Sequence, residues 1–297
     1  MIGVSPAYFL SLFSSHFTPE EVEQSLRPIK ESGFHTLQLE TFLPEQVELW
    51  TDKTCVRVRN SINNAELRVS QFVAHHLLKY FTSYNELKNP ELLGEFKKIL
   101  SIAEKVHPEG TITIPQPEFS VDFNSGASEK AAPPRQDGHS PTSYSEIWSK
   151  YIEVLDSLRT TAAERGFSLA VEVLPGSLLG NSDGFLRMTE ELGPPHIGIN
   201  LDTGHAWACK ENVALLPIKI APYIYGTHLS DNFSYENKSL CPGRGSVPWE
   251  GFFHACRMAG YKGPFDVEIR CAPEEVDKEY SAAYQFLSHY ILQQLEV

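Results

Sequence analysis

The sequence predicts a (β/α)₈ barrel, a closed ring of parallel strands surrounded by helices, as a single domain over residues 1–297. The first observation is an alternation of short apolar runs with amphipathic segments along the chain. The second is that parallel neighbours need crossover connections, which the amphipathic segments supply. The third is the length, because 297 residues suffice for eight such units in one domain. An open doubly wound sheet is the alternative, but the glycine-rich motifs of its nucleotide-binding versions are missing from the sequence.

Eight apolar runs are predicted to be the strands. In chain order they are IGV, HTLQLE, LRVSQFVAHH, GTITIP, SLAVEV, HIGINLD, IYGTHLS and PFDVEI. The helix after the first strand has the clearest boundaries, with Thr18 as N-cap, Pro19 at the first helical position and Gly33 as its stop. Ser182 or Asp183 is predicted to cap the helix that follows the fifth strand.

One segment breaks this rhythm. Residues at about 116–143 are rich in Ser, Pro, Gly and charge and show no periodic apolar pattern. A stretch of this length without secondary structure is unusual in a compact domain. We interpret it as a mobile lid or as a disordered insertion, and the sequence leaves both alternatives open.

The composition limits the classes of partner. The chain carries 38 acidic and 25 basic residues, a formal charge of −13, which would repel a nucleic-acid backbone. The first residues lack the positive region of a signal peptide, and no apolar run approaches the length of about 20 residues that crosses a bilayer. The five cysteines are scattered and form no CxxC pair, as is typical of reduced thiols. We therefore predict a cytoplasmic protein with no nucleic-acid or membrane partner. Assembly into a homo-oligomer is left open by the sequence.

The last four predicted strands each end in a polar residue. These residues are Glu172, Asp202, His228 and Glu268. The carboxyl ends of barrel strands meet at one mouth, where active sites lie. Carboxylates within apolar strands are costly to bury without a partner, and one cation lowers that cost for all three. Three carboxylates and one imidazole suit a divalent cation, with Mn²⁺ as the first expectation and Mg²⁺, Co²⁺ and Zn²⁺ as alternatives.

The segments AVEVLP, NLDTGHA, THLSDN, PGRGSVPW and DVEI resemble the xylose isomerase-like TIM-barrel superfamily. That superfamily contains sugar isomerases, ketose 3-epimerases and AP endonuclease-like proteins, and the resemblance covers nearly the whole chain. It implies that Glu172, Asp202, His228 and Glu268 bind one divalent metal ion. It also implies that Glu172 and Glu268 lie on opposite faces of the substrate and move protons, and that His205 contacts a substrate oxygen.

Four further residues are predicted to bind the substrate, and each has a structural alternative. His75 ends the third strand, where it contacts the substrate or fills a buried structural position, and Glu40 ends the second strand in a similar place. Arg244 could clamp an anionic or carbonyl-bearing substrate, or it is a solvated loop residue. Trp249 could stack on a sugar face or pack in the core. Asp231 is predicted to orient the loop that carries His228.

The predicted function is a divalent-metal-dependent isomerase or epimerase of a sugar or polyol, in which Glu172 and Glu268 transfer a proton through an enediolate. The alternative is a metal-dependent lyase or dehydratase of a keto-sugar, keto-inositol or glycoconjugate. An AP endonuclease-like hydrolase fits poorly, because the fourth strand ends in TIPQ without a histidine and no DxH follows His228. The stretch after Glu172 also lacks the Asn-Arg common in ketose 3-epimerases, so the sequence does not select a free ketohexose. A non-catalytic sugar-binding protein is a third alternative.

Overall fold

Eight parallel strands close into a barrel in which each strand pairs with the next and the last pairs with the first. The predicted (β/α)₈ barrel is therefore confirmed. The computed structural model describes residues 1–106, 110–120 and 143–292. The strands are β1 (Ile2–Val4), β2 (Thr36–Glu40), β3 (Arg68–Val73), β4 (Thr111–Gln116), β5 (Ser168–Val173), β6 (Ile197–Asp202), β7 (Ile224–Leu229) and β8 (Phe265–Val267).

Helices connect consecutive strands around the outside of the barrel. They are α1 (Ala7–Phe13), α2 (Pro19–Glu31), α3 (Asp52–Asn64), α4 (Tyr84–Leu87), α5 (Glu91–Val106), α6 (Tyr144–Ala163), α7 (Ser182–Leu192), α8 (Thr203–Ala208), α9 (Leu216–Ile220), α10 (Trp249–Met258) and α11 (Val276–Leu292). None of the helices in the described ranges is long and apolar enough to span a bilayer. The predicted insertion at about 116–143 begins at the end of β4 and reaches the N-cap of α6, and its residues 121–142 lie outside the described residues.

Two strands end two or more residues earlier than the sequence predicts. The third predicted strand extends to the two histidines, but β3 ends at Val73 and a 3₁₀ helix begins at His75. The Leu77 amide bonds the Ala74 carbonyl, so the chain turns there instead of continuing along the sheet. Similarly, β8 ends at Val267, and Glu268 follows it while its amide still bonds the Leu229 carbonyl of β7. Both changes keep the polar residues at the mouth of the barrel.

The predicted boundary of α2 is confirmed. Thr18 Oγ1 accepts from the Glu21 amide at 3.3 Å, while Glu21 Oε2 accepts from the Thr18 amide at 2.7 Å. This reciprocal capping box satisfies two amides that the first turn would leave unpaired. At the other end, Gly33 adopts a φ of +93°, a left-handed conformation that favours glycine.

The predicted cap of α7 is wrong by one or two residues. Asn181 is the N-cap, and its Oδ1 accepts from the amides of Asp183 and Gly184 at 3.0 and 3.1 Å. The Ser182 hydroxyl is not available as a cap because it donates to Glu211 Oε2 at 2.7 Å. A contact distant in the sequence therefore decides which of three capping residue types is used.

The barrel interior contains a polar layer below the mouth. Asp266 accepts hydrogen bonds from Thr36 Oγ1 at 3.0 Å, Gln38 Nε2 at 2.8 Å and Ser70 Oγ at 2.8 Å. Gly3 makes room for this layer, because a Cβ at that position would lie 2.0 Å from Asp266 Oδ1 and 2.0 Å from Thr36 Oγ1. The barrel is therefore filled by hydrogen-bonded polar side chains directly beneath the predicted site.

We expect Thr18→Ala to lower the free energy of unfolding by about 1 kcal/mol, because the amide of Glu21 then loses its capping acceptor. Urea denaturation followed by circular dichroism measures the change. Thr160→Ala, at an exposed position in the last turn of α6, is the control and should cost no stability. Equal losses in both variants would show that the Thr18 cap contributes nothing.

Candidate active site

A cavity of about 150 Å³ opens at the carboxyl ends of the strands. Six of the nine predicted site residues line it, namely Glu40, His75, Glu172, His205, His228 and Glu268. The carboxyl ends of all the strands point to this side of the barrel, so residues distant in the sequence share one opening. The opening is thus the predicted mouth, and three of the four strand-end residues, Glu172, His228 and Glu268, line it.

Three carboxylates surround a single imidazole nitrogen. His228 Nδ1 lies 3.1 Å from Glu172 Oε1, 3.3 Å from Glu268 Oε1 and 4.0 Å from Asp202 Oδ2. Burial disfavours a charged imidazole, but Glu268 and Glu172 outweigh burial and hold the pKa of His228 well above its usual value. Burial also raises the pKa of Glu268 well above that of an ordinary glutamate. The four strand-end residues therefore converge, and their negative charges require a positive partner.

The two carboxylate oxygens of Asp202 have different roles, one as a helix cap and one as part of the site. Oδ1 accepts from the His205 amide at 2.7 Å and caps the short helix α8. Oδ2 is buried and has no hydrogen-bond partner among the described residues. A buried carboxylate oxygen without a donor is expensive, and a cation is the partner that removes this cost.

His205 also joins the cluster. Its Nε2 lies 4.0 Å from Glu172 Oε1 and 3.9 Å from Asp202 Oδ2, because the Asp202 cap places it in the first turn of α8. One ligand atom each from Glu172, Asp202, His205 and Glu268 lie within 4.8 Å of one another. With His228, five groups of the types that bind divalent cations converge, so these residues fit a metal ion.

The hydrogen bonds of His228 indicate which of its nitrogens carries a proton. Gln38 Nε2 donates to Asp266 Oδ2 at 2.8 Å, which turns the Gln38 carbonyl oxygen toward His228. That oxygen lies 2.8 Å from His228 Nε2 and accepts a hydrogen bond from the Nε2 proton. Nδ1 therefore faces the three carboxylates, and once it loses its proton it can bind a metal ion, as is typical of histidines whose other nitrogen donates to a supporting group.

The sequence interpretation missed Gln38 and Asp266, although a signal was present. Gln38 precedes Glu40 by two residues on β2, and Asp266 precedes Glu268 by two residues near the end of β8. Residues two apart on a strand point to the same side, here the barrel interior. Glu40 and Glu268 therefore each have a polar neighbour one layer below them.

Glu40 and His75 lie on the cavity wall in uncharged forms. Glu40 is only 4% exposed, its Oε2 has no partner among the described residues, and burial raises its pKa to about 8. Burial lowers the pKa of His75 to about 4, and its ring stacks on Phe42 with a centroid distance of 4.0 Å. His76 instead packs away from the cavity, with Nδ1 3.0 Å from Thr41 Oγ1.

Two predicted substrate contacts are placed elsewhere. Arg244 does not line the cavity, and its Nη1 lies 2.6 Å from Glu279 Oε1. Trp249 is 5% exposed and packs against Phe252 and Phe253, which corresponds to the core-packing alternative. The loop after β7 turns both side chains toward α10 and α11 instead of toward the cavity.

Asp231 holds that loop in place. Its Oδ2 accepts from Trp249 Nε1 at 2.8 Å and from the Gly243 amide at 2.9 Å, while Oδ1 accepts from the Val247 amide at 3.0 Å. Asp231 is predicted to orient the loop that carries His228, and these hydrogen bonds join Asp231 to residues 243–249 at the far end of that loop. The loop conformation explains why Arg244 and Trp249 face away from the cavity.

Curated relatives that match about half of this chain include an epimerase and a dehydratase. The chain is 30% identical over 164 residues to a D-psicose 3-epimerase of Enterocloster bolteae, covering 48% of this chain and 53% of the relative. It is 27% identical over 150 residues to an inosose dehydratase of Geobacillus thermodenitrificans, covering 45% and 50%. The chain spans about half the length of these curated relatives.

The fold also recurs among solved structures. The IOLI protein, solved with a bound zinc atom, superposes with a TM-score of 0.71 at 14% identity, over 99% of this chain and 98% of that one. At this identity the likeness concerns the fold alone. The family model of the xylose isomerase-like TIM barrel matches residues 26–290, which is most of the chain. The chain therefore belongs to the xylose isomerase-like TIM-barrel family.

Proposed function

We propose that the protein is a divalent-metal-dependent isomerase or epimerase of a sugar or sugar derivative. The observation that carries this proposal is the pairing of Glu172 and Glu268 on the wall of one cavity, 3.1 and 3.3 Å from the same nitrogen of His228. Two carboxyl groups on one small cavity allow one to remove a proton and the other to supply one. The epimerase and dehydratase relatives support a sugar as the substrate class.

The chain's own residues perform the proton transfer. Glu172 takes the proton from the carbon beside the substrate carbonyl, and the electron pair of that C–H bond moves toward the carbonyl oxygen. Glu268 supplies a proton to the opposite face of the same carbon, which inverts it. Delivery to the neighbouring carbon instead interconverts an aldose and a ketose. When bound, a divalent cation supplies Lewis-acid stabilisation of the negative charge that develops on the substrate oxygens.

Glu172, Asp202, His228 and Glu268 would hold the metal ion, and His205 would contact a substrate oxygen. His205 stands 3.9 Å from Asp202 Oδ2, close enough to join the metal ligands as well. The oxygen-rich donor set favours Mn²⁺, with Mg²⁺ and Co²⁺ as alternatives. The zinc atom in the IOLI structure supports Zn²⁺ as a further alternative. His75 and Glu40 offer uncharged hydrogen-bonding groups to the substrate from the wall.

A specific observation favours elimination as the second candidate. Glu40 is a buried carboxyl group on the cavity wall, and its pKa of about 8 keeps it protonated near neutral pH. In a dehydratase, Glu172 would remove the proton, the C–O bond at the next carbon would break, and the departing hydroxyl would take the proton of Glu40 and leave as water. The similarity to an inosose dehydratase supports the same alternative.

We expect Glu172→Gln and Glu268→Gln each to lower the rate of solvent deuterium incorporation by about 100-fold or more, because an amide cannot transfer the proton. The measurement is nuclear magnetic resonance of ketoses, keto-inositols and sugar acids incubated in D₂O with metal-loaded protein. Glu191→Gln is the control, since Glu191 pairs with Arg187 on the surface. Failure of the wild-type protein to exchange any sugar in the panel would contradict enolisation.

Glu40→Gln separates the two candidate reactions. In a dehydratase the variant should lose about 100-fold or more of its rate of water loss, because the leaving hydroxyl no longer receives a proton. In an epimerase the same variant should retain deuterium exchange at the carbon beside the carbonyl within about tenfold. Product mass and deuterium content, measured together on one reaction, distinguish these results. If the wild-type protein forms a product that has lost water, simple epimerisation is excluded.

We expect Gln38→Met to weaken Mn²⁺ binding by about 10- to 100-fold, because His228 loses the acceptor that holds its Nε2 proton. Titration calorimetry of chelator-treated protein with Mn²⁺ gives the affinity. Gln71→Met is the matched control, since Gln71 lies in the same barrel interior but bonds Asn200 at 2.7 Å instead of His228. Equal Mn²⁺ affinities in both variants would contradict the supporting role of Gln38.

A further inference from the structure

Arg270 places a positive charge at the rim of the cavity. It lies two residues after Glu268, is exposed and is among the residues that line the cavity. Its backbone amide donates to the Ser239 carbonyl at 3.0 Å, which fixes the start of the side chain against the loop after β7. Within the described ranges it is the only Lys or Arg that lines this cavity. The guanidinium can therefore meet any ligand that enters.

The guanidinium of Arg270 makes no hydrogen bond or ion pair with another described residue. Arg244, the arginine that the sequence suggested for substrate binding, is instead paired with Glu279 at 2.6 Å. Glu40 and Glu268 are acidic residues that line the same cavity, and neither forms an ion pair with Arg270. Five N–H donors thus remain available at the rim.

The base and the rim of the cavity carry opposite charges. Three carboxylates with one divalent ion leave a net negative charge at the base, and Arg270 is positive at the rim. An anionic group would be repelled from the base and attracted to the rim. Much of the wall between them is apolar, with Phe42, Pro115 and Leu174 among its residues. The base of the cavity thus favours the end of an elongated substrate that offers oxygen ligands, and the rim favours an end that carries negative charge.

We propose that Arg270 binds an anionic group, a carboxylate or a phosphate, at the end of the substrate remote from the reacting carbon. This inference rests on the proposed function and narrows its substrate class to keto-sugar acids or keto-sugar phosphates. A guanidinium binds either oxyanion through paired hydrogen bonds, so it fixes orientation as well as adding affinity. The free ketohexoses would lack this contact.

A different role for Arg270 makes a different prediction. The guanidinium could act only by offsetting the net negative charge at the base of the cavity. In that case its loss would slow the reaction of neutral and anionic sugars by the same factor. An anion-binding role changes the ratio between the two kinds of substrate, and the change appears mainly in KM.

The test uses three sugars that differ at one carbon, namely D-fructose, D-fructuronate and D-fructose 6-phosphate. Deuterium exchange by the metal-loaded protein gives kcat/KM for each, and the measured quantity is the ratio of each anionic sugar to D-fructose. We expect Arg270→Gln to lower that ratio by about 10- to 100-fold and Arg270→Glu to lower it further. Arg244→Gln, which removes a guanidinium held by Glu279, should leave the ratio unchanged. The larger effect identifies the carboxylate or the phosphate.

Binding is measured separately from turnover. Equilibrium dialysis of the labelled sugars counts bound sugar whether or not it reacts, and Arg270→Gln should weaken binding of the anionic sugars by a similar factor. Exchange with an unchanged ratio in Arg270→Gln would overturn the role of Arg270 and leave the proposed function intact. Arg270-dependent binding without any exchange would overturn the proposed function and retain the anion site. An absence of both binding and exchange would overturn both.

Discussion

The site depends on the cost of burying three carboxylates around one imidazole. Glu172, Asp202 and Glu268 each lie within 4.0 Å of His228 Nδ1, and Asp202 Oδ2 is fully buried without a donor in the described part of the chain. A proton on His228 offsets only one of the three negative charges. A divalent cation offsets two and accepts the orphaned oxygen as a ligand. The arrangement is therefore much better suited to a bound cation than to the protein groups alone.

Hydrogen bonds between side chains in the barrel interior support the crowded carboxylate and imidazole groups from below. Asp266 orients the Gln38 amide, and Gln38 in turn fixes the proton of His228 on Nε2. Gly3 leaves the space that this interior layer needs, since a side chain there would collide with Asp266. The strand ends are thus positioned by hydrogen bonds inside the barrel, and the loops above them are free to determine which substrate enters.

Regular features of the chain were predictable from the sequence, and features that depend on loop direction were not. Alternating apolar runs identified the strands, and the spacing of one βα unit placed Glu172 and Asp202 at the same mouth. Arg244 lies in an irregular loop and Trp249 at its end, and hydrogen bonds to Asp231 set the course of this loop, so no periodicity indicated that both side chains face away from the cavity. Arg270 lies after the end of β8 and outside any helix or strand, so no periodic pattern indicated that it lines the cavity.

Epimerisation, isomerisation and dehydration share their first step, so one cluster of carboxylates and imidazoles does not distinguish them. What differs is the group that receives the next proton and where that proton is delivered. Glu268 belongs to the carboxylate and imidazole cluster, where a proton would return to carbon, whereas Glu40 lies on the wall with an oxygen that has no partner among the described residues, where a leaving hydroxyl would be protonated. The position of a bound sugar would decide between them, and the proposed contact with Arg270 at the rim would fix that position. Substrate recognition at the rim and reaction outcome at the base are therefore linked through the length of the substrate.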